Sequence, residues 1–299
     1  MAPVSWHAER LRVAEALRSA DIASPDAEAR WLTEHVSGHA GAEWSSIERS
    51  AVPLRLAMQL DRLLERRLAG EPLQYVLGSW AFRAHELMVD RRVLVPRPET
   101  EWVVEVALRE AEALGLRRGG RPAWGAEPTV AVADLGTGSG AIAIALEAEL
   151  PDAVVWATDI SSDALEVARL NAIGSSAGRV RTAQGSWFDA LDPALAGTLS
   201  LVVSNPPYVS ADEFDALPPE VRDHEPFGAL VSGPTGLEDV DALLDAATVW
   251  LAPRSAMVIE LAPQRADLAL EHARARGFTD VQIVADLTGR DRMLVVRRR

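Results

Sequence analysis

Three short segments hold residues whose types and spacing could do chemistry. The first, Asp134-Leu135-Gly136-Thr137-Gly138-Ser139-Gly140, follows an apolar run and opens an Ala/Ile-rich stretch. Its glycines let the backbone turn tightly and let a ligand approach with no Cβ in the way. The second is Asp159, which ends the run VVWATD 23 residues after Gly136. A carboxylate at a strand tip can accept hydrogen bonds from both ribose hydroxyls of an adenosine ligand. It can equally cap the next helix, since Ser161 follows. The third is Asn205-Pro206-Pro207-Tyr208, after the apolar run LSLVVS. Two consecutive prolines fix φ and remove two backbone donors, which leaves the carbonyls of the loop free to accept. The Asn205 amide offers an acceptor and donors. Such a loop can hold an NH2 group by its two hydrogens and aim the nitrogen lone pair outward. Tyr208 can pack against a planar amide or base and favour a cation through its π face.

Two cofactor classes use a glycine turn of this kind. A dinucleotide fold needs G-x-G-x-x-G, so that pyrophosphate meets a helix N-terminus. The spacing here is G-x-G-x-G with Ala141 next, which fits that fingerprint only in a relaxed form. An acid two residues before the first glycine, as Asp134 is, resembles instead the pattern of S-adenosylmethionine-dependent methyltransferases, where that carboxylate can help position the ligand's charged methionine part. Asp159 fits either ligand, and a dehydrogenase reading leaves Asn205 to Tyr208 unexplained. Trp187-Phe188 could stack on adenine or fill the core. Glu99 and Glu101 fall in a first helical turn, where acids suit the macrodipole. His35 and His39 are four apart with Gly38 between them, and two histidines alone make a poor ligand set, so no metal is expected. No Ser-His-Asp arrangement is legible.

The elements that must position these segments follow from periodicity. Residues 5–69 read as helices, with Leu11, Ala14, Leu17 and Ala20, then Leu54, Ala57, Leu60, Leu63 and Leu64 at helical spacing. Ser5, Ser24 and Asp26 sit where caps belong. Tyr75 to Val95 is strand-like and interrupted, which suggests a hairpin linking two domains. Pro96, Pro98 and the acids after them open a helix through about Leu114, and 117–128 is a Gly/Pro-rich loop. From Thr129 onward strands at 129–134, 153–158, 178–183, 199–204 and 255–261 alternate with helices at 140–149, 162–172, 237–251 and 264–276. Strands 280–285 and 292–297 form a closing hairpin, so the last strand runs antiparallel. This predicts an α/β doubly wound, mostly parallel sheet. The domains expected are residues 1–70, a hairpin linker at 71–98, and 99–299.

Composition bounds the partners. The 299 residues contain no cysteine, and all 30 basic residues are Arg. Disulfides, thiolate zinc sites, a Cys nucleophile, a Schiff-base lysine and a P-loop lysine are excluded. The net charge is −14, and residues 126–299 hold 13 Arg against 26 acids. An acidic main domain repels phosphate, so binding driven by duplex nucleic acid is not expected. The N-terminal stretch is amphipathic with no apolar h-region, and no long apolar run suggests a membrane span. The expectation is a cytoplasmic chain, and a monomer, since no coiled coil or extra apolar stripe is evident.

Together the Gly turn, Asp159 and NPPY resemble the class I S-adenosylmethionine methyltransferases that methylate planar nitrogens. More narrowly, LVPRPETE (94–101) ahead of these motifs resembles the PrmC/HemK family, the peptide chain release factor N5-glutamine methyltransferases. The likeness also covers PLQYVLGSWAF (72–82), GSWFDAL (185–191), HEPFGALVSGPTGLE (224–238) and DLTGRDRMLVVRR (286–298). It implies a Rossmann-like methyltransferase domain with a small N-terminal helical bundle that helps dock the release factor. It implies that Asp134, Gly136, Thr137, Gly138, Ser139, Gly140, Asp159 and Trp187 bind S-adenosylmethionine. Asn205 would contact cofactor and substrate, Pro206, Pro207 and Tyr208 would line the glutamine pocket, and the catalytic residues would be Asn205, Pro206 and Tyr208. The substrate implied is the glutamine of the GGQ tripeptide of release factors. A ribosomal-protein glutamine, a nucleic-acid amino group, and a non-enzymatic cofactor-binding module are the alternatives.

Overall fold

The computed structural model describes residues 4–120 and 129–298. Residues 1–3 of the amphipathic start and 121–128 of the expected loop lie outside them. By internal contacts the chain forms two compact units, Met1–Gly78 with Pro219–His224, and Ser79–Pro218 with Glu225–Arg299.

The helical unit holds α1 (Trp6–Ser19), α2 (Pro25–Ser37), α3 (Trp44–Ile47), α4 (Leu54–Leu68) and α5 (Leu73–Leu77). Ser5 caps α1 by accepting from the Ala8 amide, whereas Ser24 makes no side-chain cap bond and Pro25 opens α2. Gly38, at φ +72°, ends α2 and leaves His35 and His39 on opposite sides of that end. Val13, Leu17, Ala29, Leu32 and Leu60 are fully buried, and Trp6 meets Trp44 edge-on. Leu11 and Leu54, expected on the apolar stripes, are instead 57% and 77% exposed. The strand-like reading of Tyr75, Val76 and Leu77 is corrected to a helical turn. Pro72 precedes α5, Gly78 at φ +79° closes it, and Val76 packs in the helical core. A short apolar run does not carry enough period to tell strand from helix.

The second unit opens with the hairpin β1 (Ser79–Phe82) and β2 (His85–Met88), then α6 (Pro98–Ala113). Next come β3 (Val130–Leu135), α7 (Ala141–Glu149), β4 (Ala153–Asp159), α8 (Ser162–Gly174), β5 (Val180–Gln184) and β6 (Leu199–Ser204). A short helix α9 (Pro219–Arg222) belongs to the helical unit, where Arg67 lies between Glu28 at 2.7 Å and Glu220 at 3.0 Å. The chain ends with α10 (Phe227–Leu230), α11 (Glu238–Trp250), β7 (Leu251–Glu260), α12 (Ala266–Ala275), β8 (Asp280–Ala285) and β9 (Asp291–Arg298).

The main sheet runs β5-β4-β3-β6-β7-β9-β8. Pairs from β5 through β7 are parallel, and β9 inserts antiparallel between β7 and β8, as the closing hairpin requires. Along β9, Met293 and Val295 join one apolar core with α6 and α7, while Leu294 and Val296 join the other with α11 and α12. That period of two buries both faces of the sheet. Among the described residues no helix is long and apolar enough to cross a membrane.

Candidate active site

Strand order puts the chain reversal at β3, whose neighbours are β4 on one side and β6 on the other. Ligands bind outside the carboxyl ends of strands at such a point. Register makes this specific. Leu135 is opposite Thr158 on β4 and Ser204 on β6, so Gly136, Asp159 and Asn205 emerge side by side. The Ser204 hydroxyl donates to the Leu135 carbonyl at 2.7 Å and ties two of these ends together. They open on a cavity of about 530 Å3, within the range of small-molecule sites.

The glycine turn is built for close contact. Gly136, Gly138 and Gly140 all have positive φ, from +55° to +85°. A Cβ on Gly136 would come within 3.0 Å of the Trp187 ring, and one on Gly140 within 3.3 Å of Ala168. One on Gly138 would meet nothing within 4 Å, because that position faces the cavity. The turn amides are mostly engaged inside the protein. Gly136 and Thr137 donate to the Thr158 carbonyl, and Gly138 donates to Asp159 Oδ2 at 2.9 Å. Ser161 donates to the other oxygen of Asp159. Burial raises the Asp159 carboxyl above its ordinary range. A pyrophosphate cradle needs free amides at a helix N-terminus. Here Asp134 accepts from the Ala143 amide in the first turn of α7, and Asp159 lines the wall. The residues fit a ribose-bearing ligand with a cationic group better than a pyrophosphate.

Of the residues expected from sequence, Gly136, Thr137, Gly138, Ser139, Asp159, Trp187, Asn205 and Pro207 line the cavity. Asp134 does not. It is fully buried, Thr137 Oγ1 donates to it at 2.5 Å, and burial pushes its carboxyl up to about 7. Its reach to a ligand therefore runs through the turn it braces. Gly140 also lies off the wall, serving the close approach of α7 to α8. Pro206 is buried behind the loop, and Tyr208 is half-buried beside Glu260 and Arg292 rather than on the wall, with burial pushing its phenol up to about 12. Trp187 holds a φ of +47°, unusual for a bulky residue. Phe188 is core and stacks on Trp250 at 5.7 Å. Glu101 accepts from the Arg83 amide and Glu99 pairs with Arg290 at 3.5 Å, so neither acid lines the cavity.

Other residues join the site without a local signal in the sequence. Asn205 Nδ2 donates to Thr100 Oγ1 at 3.2 Å, and Thr100 donates to Glu260 at 2.8 Å. Asn171 bonds both backbone groups of Met88 and donates to the Ser139 carbonyl at 2.8 Å, which clamps the glycine turn from below. Asp239 lines the cavity beside Trp187; burial raises its carboxyl, against hydrogen bonds from Ser232 and Trp187.

Comparison with known proteins identifies the family. Residues 10–78 match the family described as PrmC N-terminal domain, and residues 125–217 match the Methyltransferase small domain. Among solved structures, the hMettl16 catalytic domain superposes with a TM-score of 0.54 at 14% identity, covering 90% of this chain and 89% of that one. A methyltransferase from Pyrococcus furiosus gives 0.50 at 19% identity, covering 81% and 98%. Both show the fold alone. The release factor glutamine methyltransferase of Deinococcus radiodurans is 38% identical over 290 residues, 94% of each chain. That of Streptomyces coelicolor is 36% identical over 97% of each chain, and that of Thermosynechococcus vestitus 40% over 84% of each. The chain belongs to the release factor glutamine methyltransferase family.

Proposed function

We propose that the protein transfers a methyl group from S-adenosylmethionine to the side-chain amide nitrogen (N5) of the glutamine in the GGQ motif of peptide chain release factors. The observation that carries this reading is the emergence of Asn205 beside the glycine turn and Asp159 at one strand edge. When bound, S-adenosylmethionine supplies a methyl group on a positively charged sulfur. Gly136 to Ser139 would hold its methionine part, Asp159 its ribose hydroxyls, and Trp187 its adenine.

An amide nitrogen is a poor nucleophile because its lone pair is delocalised into the carbonyl. Asn205 Oδ1 and the Pro206 carbonyl would accept its two N–H bonds, localise that pair and aim it at the methyl carbon. The proline pair keeps these acceptors in place, and Pro207 forms the adjoining wall. Tyr208, neutral at working pH and off the cavity wall, would support the loop rather than touch the amide. The nitrogen would take the methyl group with its localised pair, the electron pair of the carbon–sulfur bond staying on sulfur, and would release its proton afterwards. No base is needed before attack, so catalysis is mainly orientation and electrostatics. On this reading the chain works as a single copy in the cytoplasm, where release factors act.

The test is label transfer from methyl-labelled S-adenosylmethionine to a purified release factor and to its GGQ Gln→Ala variant. Label on the wild-type factor alone is expected. Label on neither overturns the substrate and directs the search to a ribosomal protein or a nucleic-acid amino group. Asn205→Ala should lower turnover by about 10²–10³-fold, the usual loss for a preorganised polar contact to the reacting group. Its affinity for S-adenosylmethionine should be largely kept.

A further inference from the structure

The side chain of Asn205 is an amide, and its two ends have opposite hydrogen-bonding character. Which end meets the substrate decides whether it accepts or donates. Ser204 pairs with Ile259, so the next residues, Asn205 and Glu260, leave adjacent strands at the same edge. Thr100, near the start of α6, bridges them, 2.8 Å from Glu260 and 3.2 Å from Asn205. Thr100 is 4% exposed and Glu260 1% exposed, so the bond between them is shielded from water, while Thr100 and Asn205 both line the cavity.

We propose that Glu260 and Thr100 are a positioning pair that fixes the Asn205 amide with its oxygen toward the substrate. A threonine hydroxyl has one proton. An ionised Glu260 only accepts, so that proton is committed to the carboxylate. Thr100 then offers Asn205 only lone pairs, and the amide must present Nδ2 to it. Oδ1 is thereby turned toward the cavity, where the proposed reaction needs an acceptor. When Glu260 is protonated it can donate to Thr100. The hydroxyl proton is then free to turn to Asn205, and either end of the amide is satisfied.

Arg292 from β9, Arg97 and Glu99 at the start of α6, and Tyr208 are the charged and titratable groups whose fields reach the carboxyl. Burial is the largest influence and pushes Glu260 up to about 7. The pair is therefore set above that pH and released below it.

This inference rests on the proposed glutamine methylation, so the assay uses the full chain, a purified release factor and labelled S-adenosylmethionine. Thr100→Val should lower kcat by about a hundredfold, the scale of a small misplacement at a reacting group. The affinity for S-adenosylmethionine should not change. Thr100→Ser, which keeps the hydroxyl, should restore most of the loss. In the wild type kcat should rise with pH through about 7, and Glu260→Gln should remove that rise. A Thr100→Val enzyme with wild-type kcat, a Thr100→Ser enzyme as slow as Thr100→Val, or a Glu260→Gln enzyme with the same rise overturns the inference alone. A wild type that leaves the release factor unlabelled overturns the underlying reading, and the inference with it.

Discussion

Asp134 and Glu260 are carboxyls that the fold has taken out of water, and each acts through a threonine hydroxyl. Asp134 holds Thr137 under the glycine turn, and Glu260 holds Thr100 behind Asn205. Desolvation pushes both up to about 7, from 3.8 and 4.5 respectively. The sign of the linkage follows. Between the unfolded and folded values the native state binds more protons than the unfolded state, so stability falls as pH rises. The contribution is full below about pH 4 and lost by about pH 7. Asp134→Asn removes one such group. Thermal unfolding followed from pH 4 to 8 should show the wild type losing stability relative to this variant as pH rises. Parallel curves for the two proteins would show that Asp134 is already ionised across that range.

At the scale of elements, the site depends on how strand ends and helix starts are fastened. β3 lies between two parallel partners, which brings three loops to one edge. Register alone leaves those loops free to move, and side chains from other elements fix them. Asn171 of α8 is 4% exposed and joins the end of β2 to the Ser139 carbonyl. Asn171→Ala removes three hydrogen bonds and leaves the Met88 groups and the Ser139 carbonyl without that partner. At about 1 kcal/mol per bond the expected loss of stability is roughly 2–3 kcal/mol. The slackened turn should also bind S-adenosylmethionine more weakly. Denaturant unfolding and titration calorimetry check the two effects, and unchanged values in both would mean that β3 and α7 hold the turn unaided.

For the molecule as a whole, charge sets the class of partner. The net charge of −14 sits mostly after residue 125, and many arginines are already paired with acids. Arg297 holds Glu110 at 2.5 Å, Arg118 holds Glu105 at 2.8 Å, and Arg66 holds Glu71 at 2.6 Å. Guanidinium forks matched to carboxylates in this way leave little positive field for phosphate. Transfer RNA added in excess should therefore not slow labelling of the release factor at about 0.15 M salt, where weak phosphate contacts are screened. Strong inhibition by RNA would instead reveal a basic surface that the net charge conceals.

The sequence by itself determined the order of the longer strands and helices from Thr129 onward, because hydrophobic period and glycine or proline punctuation are local properties. It picked out one part of the cavity wall for the same reason: Gly136 to Ser139, Asp159, Trp187, Asn205 and Pro207 sit in compact motifs at strand ends. Only the tertiary structure decided that Asp134 turns under the loop, that Pro206 and Tyr208 stand off the wall, and that residues 219–224 join the helical unit. The same holds for Thr100, Glu260 and Asn171. Thr100 reaches Asn205 across 105 residues and Glu260 across 160. Such bonds exist because parallel strands in a given register bring distant residues to one edge, and no local pattern in the chain records which strands will be neighbours.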